Sequence, residues 1–139
     1  KQAMNVSLDR SHQHFHSSNG ITSTGMCDAG GLALSKDQGP FGGSGHVVWP
    51  QEAIGWQVAK TSQEHGVLAL RPGRPAEWQK QWSFKQQANG PIPLRIGDRI
   101  RIVPQHACMT AAAHPFYFAV DSDKDEQIVT DVWVPWKFW

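Results

Sequence analysis

The strict alternation of Arg99-Ile-Arg-Ile-Val103 constrains this chain more tightly than any other feature. A period of two puts Ile100 and Ile102 on one face and Arg99 and Arg101 on the other, the pattern of a strand half-buried in a sheet. Gly97-Asp98, just before it, is a turn signal. Other short aromatic and β-branched runs lie along the chain: His46-Val-Val-Trp49, Ile54-Gly-Trp-Gln-Val58, His65-Gly-Val-Leu-Ala-Leu70, and segments 116–120 and 127–134, the last two joined by an acidic loop. Glycine and proline clusters separate them, at 71–75 and 89–93, and segment 35–45 reads as a long loop. Residues 76–87 suit one short helix, with Trp78 and Trp82 four apart on one face. The expectation is a mainly β fold, a small β-barrel or sandwich with one or two short helices, in a single domain over residues 1–139.

Composition narrows the function. Hydrophobic residues make up 40% of the 139 and charged residues 18%, too apolar for a disordered tail and too sparsely charged for a coiled coil. A net charge of +1 offers no electrostatic reason to bind nucleic acid or an anionic membrane. No apolar run approaches the roughly 20 residues of a membrane helix, and residues 1–10 are too polar for a signal peptide. Two cysteines, Cys27 and Cys108, make no disulfide framework, so a reducing, cytoplasmic setting is expected. Trp133, Trp136, Phe138 and Trp139 make the carboxy terminus apolar enough to be expected to pack against something.

The residues best suited to chemistry follow the alternating strand. If the chain stays extended past Pro104, His106 and Cys108 face the same side, about 6 to 7 Å apart along the backbone. Imidazole and thiolate on that spacing can converge on a borderline-soft cation such as zinc. Two protein ligands would leave positions open for water or substrate, as a Lewis-acid role requires. Spacing alone leaves other readings: Cys108 as a small core hydrophobe, or a Cys27–Cys108 disulfide, which the expected compartment disfavours. Asp28 and Asp37 read as loop-fixing hydrogen-bond acceptors rather than catalytic acids. His12, His14 and His16 would share one side of a strand, though a solvated or frayed segment suits their polar surroundings better. His114, before Pro115, reads as a turn residue, and Arg99 and Arg101 as a solvated strand face or a dimer salt bridge.

Three blocks appear in order: Asp28-Ala-Gly-Gly-Leu-Ala-Leu-Ser-Lys-Asp37, Gln63-Glu-His-Gly-Val67 and Gly97-Asp-Arg-Ile-Arg-Ile-Val-Pro-Gln-His-Ala-Cys108. Together they resemble the carboxy-terminal portion of the D-serine dehydratase-like family, which also holds D-threonine aldolases. The resemblance implies an alanine-racemase type of architecture, in which a pyridoxal-phosphate (β/α) barrel carries the cofactor lysine and a β-rich domain covers the active site, usually across a homodimer. No lysine here lies in a recognisable barrel-strand context, so the chain is expected to be the β-domain alone, with the barrel absent and no turnover by itself. Residue by residue, His106 and Cys108 match the zinc-binding positions of the dehydratases. The aldolases tend to carry aspartate at the cysteine position, with manganese or a similar harder ion, so Cys108 favours the dehydratase. His65, in the Glu-His-Gly block, is implied at the substrate site or beside a metal ligand, or else is a strand-end histidine bonded to backbone.

The implied activity is loss of the α-proton from D-serine with the pyridoxal ring as electron sink, zinc-assisted departure of the β-hydroxyl, and hydrolysis to pyruvate and ammonia. The alternatives are retro-aldol cleavage of a D-3-hydroxy amino acid and a non-catalytic β interaction domain. A cupin-like metal enzyme is a more distant rival, and no cupin motif is visible.

Overall fold

The computed structural model describes residues 4–7, 15–16, 22–40, 42–70, 94–121, 123 and 128–136. The strands are β1 (Met4–Ser7), β2 (Phe15–His16), β3 (Thr22–Cys27), β4 (Gly45–Trp49), β5 (Trp56–Thr61), β6 (Gly66–Leu70), β7 (Arg99–Pro104), β8 (Tyr117–Val120) and β9 (Val129–Trp133). Two short helices, α1 (Gly31–Leu34) and α2 (Ala107–Ala113), complete the described elements together with a 3-10 turn at Gln51–Ala53.

Seven strands pair in the order β1-β7-β4-β5-β6-β3-β2, every neighbouring pair antiparallel. The sheet curls into a half-barrel, which meets the expectation of a mainly β barrel or sandwich with few helices. Two register irregularities help it curl, one between Val47 and Trp49 against β7, the other between Val58 and Lys60 against β6. An extra residue in one strand bends it and increases the local twist.

The alternation of β7 resolves as its sequence requires. Ile100 and Ile102 are fully buried and Arg99 is exposed. Arg101, half-buried, lays its guanidinium over the Trp49 ring, 5.2 Å from the centroid. Inward-facing side chains from neighbouring strands complete the core: Cys27, Val47, Trp56, Val58 and Leu68, with Ala29 and Leu34 from the α1 region and Leu94 ahead of β7. Strands β8 and β9 form a separate two-stranded sheet. Phe118, Val132 and Trp133 of that hairpin, and Trp136 beyond it, are all exposed.

Several boundaries differ from those read in the sequence. Strand β5 begins at Trp56 rather than Ile54, because the 3-10 turn runs into Ile54 and Gly55 takes a positive φ. Strand β6 begins at Gly66, which leaves His65 in the preceding turn. Among the described residues of the 127–134 run, the strand covers Val129–Trp133. The helix expected at 76–87 lies outside the described residues, as do His12 and His14.

The important correction is at the end of β7. The chain does not stay extended through Cys108. It turns at Gln105 and enters α2 at Ala107. Ala107 and Ala111 to Ala113 are the strongest helix formers and carry the chain out of the sheet. No helix among the described residues is long and apolar enough to cross a membrane.

Candidate functional site

Helix α1 is the platform of the site. Gly30 precedes it, and a Cβ there would stand 2.5 Å from both the Gln63 carbonyl oxygen and the His65 amide nitrogen. Only glycine lets this segment lie so close to the β5–β6 turn. Two otherwise unpaired amides at the start of α1 are satisfied by that turn: Gly31 N donates to Ser62 O (2.8 Å) and Leu32 N to Gln63 O (2.9 Å). The turn closes on itself, with Ser62 N donating to His65 O (2.8 Å) and His65 N to Ser62 Oγ (3.2 Å). Between α1 and the turn lies a cleft of about 340 Å³ lined by Asp28, Leu32, Gln63, Glu64 and His65 among others. The Asp28 and Glu-His-Gly blocks of the sequence therefore meet in space.

Past α1 the chain doubles back at Ser35, the non-glycine residue with a positive φ among those described (75°). Ser35 is buried, its amide bonds to Gly31 O, and its Oγ accepts from the Asp37 amide (3.0 Å). This tight local turn projects Asp37 toward the junction of β7 and α2.

At that junction His106 holds the N-cap position of α2 in an extended conformation. Its carbonyl accepts from Thr110 N (3.1 Å) and from Thr110 Oγ (3.0 Å), and the same buried hydroxyl lies 3.3 Å from Leu34 O at the end of α1. The two helices are thus tied together beneath the site. The His106 ring meets the Asp37 carboxylate directly, Nδ1 against Oδ2, across 69 residues of sequence. That contact, with a smaller contribution from Ser35, holds the Asp37 carboxyl below its usual range of about 3.8. Asp37 is therefore more than a local turn acceptor. Nothing in its sequence neighbourhood marks it as a partner of His106, because only the fold brings the two together.

Cys108 sits in the first turn of α2 and is exposed, while Cys27 is wholly buried in β3 with its thiol donating to Ala29 O (3.7 Å). Both thiols are free, so the disulfide alternative is excluded, and Cys27 is the core hydrophobe of the pair. His106 is 40% exposed at its side chain, so imidazole and thiol both reach solvent from one end of β7. Among the described residues no three His, Cys, Asp or Glu side chains converge as a metal cage. His65 lines the cleft beside α1. His114 closes the other end of α2, its Nδ1 2.7 Å from Thr110 O, in keeping with a turn residue. His16 lies in β2.

The sequence profile of the serine dehydratase domain matches residues 16–120, a span that contains α1, the β5–β6 turn and the β7–α2 junction. The chain belongs to the serine dehydratase domain family. The chain is 44% identical over 121 residues to the D-serine dehydratase of Saccharomyces cerevisiae, an alignment covering 82% of the chain and 24% of the yeast protein. It is 33% identical over 109 residues to the D-threo-3-hydroxyaspartate dehydratase of a Delftia species, covering 73% of the chain and 26% of that protein. The chain thus spans about a quarter of the length of these curated relatives. The solved Delftia enzyme superposes with a TM-score of 0.64 at 25% identity, over 99% of this chain and 32% of that one. An alanine racemase-like protein of Idiomarina loihiensis superposes with a TM-score of 0.60 at 28% identity, over 99% and 32%. The Delftia enzyme has also been solved as two variants: one with a cysteine replaced by alanine, described as metal-free, and one with a histidine two positions earlier replaced by alanine.

Proposed function

We propose that this domain supplies the metal site of a pyridoxal-phosphate-dependent D-serine dehydratase, with His106 and Cys108 as the ligands of a zinc ion. The observation that carries the reading is the pairing of an exposed thiol and a carboxylate-held imidazole two residues apart at the end of β7. The histidine and cysteine replaced in the Delftia variants have the same two-residue spacing, and the cysteine variant was solved in a metal-free form. A thiolate with an imidazole suits zinc better than manganese or magnesium, which prefer oxygen.

The reaction removes the α-proton and the β-hydroxyl of D-serine as water. The resulting enamine then hydrolyses to pyruvate and ammonia. Zinc at this site would act as a Lewis acid, lowering the proton affinity of the β-hydroxyl and stabilising its departure. The domain's own residues have simpler tasks. The His106 ring is engaged at Nδ1 by Asp37 and its side chain reaches solvent, Cys108 is exposed in the first turn of α2, and Thr110 ties α1 to α2 beneath both. His65, in the cleft of Asp28 and Glu64, is a candidate contact for the polar groups of the amino acid.

Pyridoxal phosphate does not fit the described residues. Their two lysines, Lys36 and Lys60, are both exposed, which offers no enclosed site for a Schiff base. In the proposed reading the cofactor sits in a (β/α) barrel that precedes this carboxy-terminal domain in the whole protein, with the active site completed across a homodimer. Two free thiols suit a reducing, cytoplasmic setting.

The deciding experiment measures zinc by elemental analysis of the purified parent enzyme, wild type against Cys108→Ala, alongside D-serine deamination. Loss of both metal and pyruvate formation is expected. Unchanged metal and unchanged activity would overturn the assignment.

A further inference from the structure

We propose that Asp37 is the positioning residue of this site: it holds the His106 ring through Nδ1 so that Nε2 is the nitrogen offered to zinc. The inference rests on His106 and Cys108 being the metal ligands and goes further by assigning the donor atom and the group that orients it.

Two observations and the geometry of the imidazole ring support it. The Asp37 carboxylate contacts Nδ1 directly, so that nitrogen is already committed. The two lone-pair directions of an imidazole diverge widely around the ring. A cation on Nε2 therefore lies beyond the reach of a carboxylate seated on Nδ1, and Asp37 is not itself a ligand in this arrangement. The carboxylate is also held in place. The Asp37 amide is bonded to Ser35 Oγ, Ser35 is buried and bonded back to α1, and α1 is joined through Thr110 to the helix that His106 caps. Carboxylate and imidazole are thus mounted on one frame.

Ring orientation follows from this. A neutral imidazole can carry its proton on either nitrogen. With Nδ1–H donating to Asp37, the tautomer is fixed and Nε2 keeps its lone pair for the metal. The same hydrogen bond limits rotation of the ring. Asp37 and His106 are 59% and 40% exposed, so solvent screens the direct charge attraction and the main effect is orientation and tautomer. Losing such a partner typically costs about 10- to 100-fold in metal affinity.

The test uses the full parent enzyme as Asp37→Ala, Asp37→Asn, His106→Ala and Cys108→Ala variants. Zinc affinity is measured by chelator competition and kcat at limiting and saturating zinc. Asp37→Ala is expected to bind zinc about 10- to 100-fold more weakly, with kcat largely regained at saturating zinc. Asp37→Asn should recover part of the loss, because its amide oxygen still accepts from Nδ1–H. Zinc affinity of Asp37→Ala within twofold of wild type, while the His106 and Cys108 variants lose the metal, would overturn the positioning role alone. Loss in Asp37→Ala as complete as in His106→Ala, with no recovery in Asp37→Asn, would overturn it in favour of a third ligand. Undiminished zinc in the His106 and Cys108 variants would overturn the metal assignment beneath it.

Discussion

The two thiols of the chain differ in what surrounds them. Cys108 is exposed at the start of α2, whereas Cys27 is enclosed by core side chains with no accessible surface. A thiol reagent should therefore modify Cys108 alone in the native protein and reach Cys27 only on unfolding, with zinc slowing the Cys108 reaction. Mass spectrometry of the labelled protein with and without zinc checks both statements. Burial pushes the Cys27 thiol above its usual 9.0, against smaller lowering effects of backbone hydrogen bonds. The folded state thus favours the neutral thiol. Its contribution to stability is complete below the unfolded value, near 9.0, and is lost as pH rises through the folded one. Wild type should lose stability above pH 9.0 more steeply than Cys27→Ala, as read from urea unfolding across an alkaline series.

At the scale of elements, the close approach of β3, α1 and the β5–β6 turn depends on small residues. A Cβ on Gly66 would lie 2.5 Å from Ala29 O and 2.9 Å from the Cys27 sulfur, so Gly66→Ala forces backbone apart. We expect it to cost about 1–3 kcal/mol, while Gly25→Ala, with nothing within 4 Å, stays within about 0.5 kcal/mol. Thermal unfolding of the pair makes the comparison. The same elements show what the sequence conveyed locally. The period-two pattern of β7 was legible because one face is buried and the other is not. The helix after His106 had a signal in its alanines, but the shared-face reading of His106 and Cys108 assumed a continuing strand. Alanines 107 and 111–113 prevailed.

For the whole molecule, stability resides in the half-barrel and not in the β8–β9 hairpin. Ile102 is fully buried between β1 and β4, facing the inward side chains of the sheet, and Ile102→Ala is expected to cost about 2–5 kcal/mol. Trp136 is 93% exposed, and Trp136→Ser should change stability by no more than about 0.5 kcal/mol. Denaturant midpoints of the two variants test this division. The hairpin is joined to α2 by the Tyr117 hydroxyl, which donates to Ala111 O, while its apolar side chains stay exposed. The expectation that the apolar carboxy-terminal region packs against something is not met within the described residues, where Trp133 and Trp136 are exposed.

By itself the sequence determined the mainly β class, the inward face of β7 and the family, through the order of its three blocks. These are properties of short segments, where residue type and period translate directly into conformation and burial. It also singled out His106 and Cys108, because residue chemistry is visible without a fold. The tertiary structure alone decided that Asp28 and His65 line one cleft and that Asp37 meets His106 across 69 residues. The physical reason is that these meetings depend on strand order and on the packing of α1 against its neighbours, and neither leaves a trace in the spacing of residues along the chain.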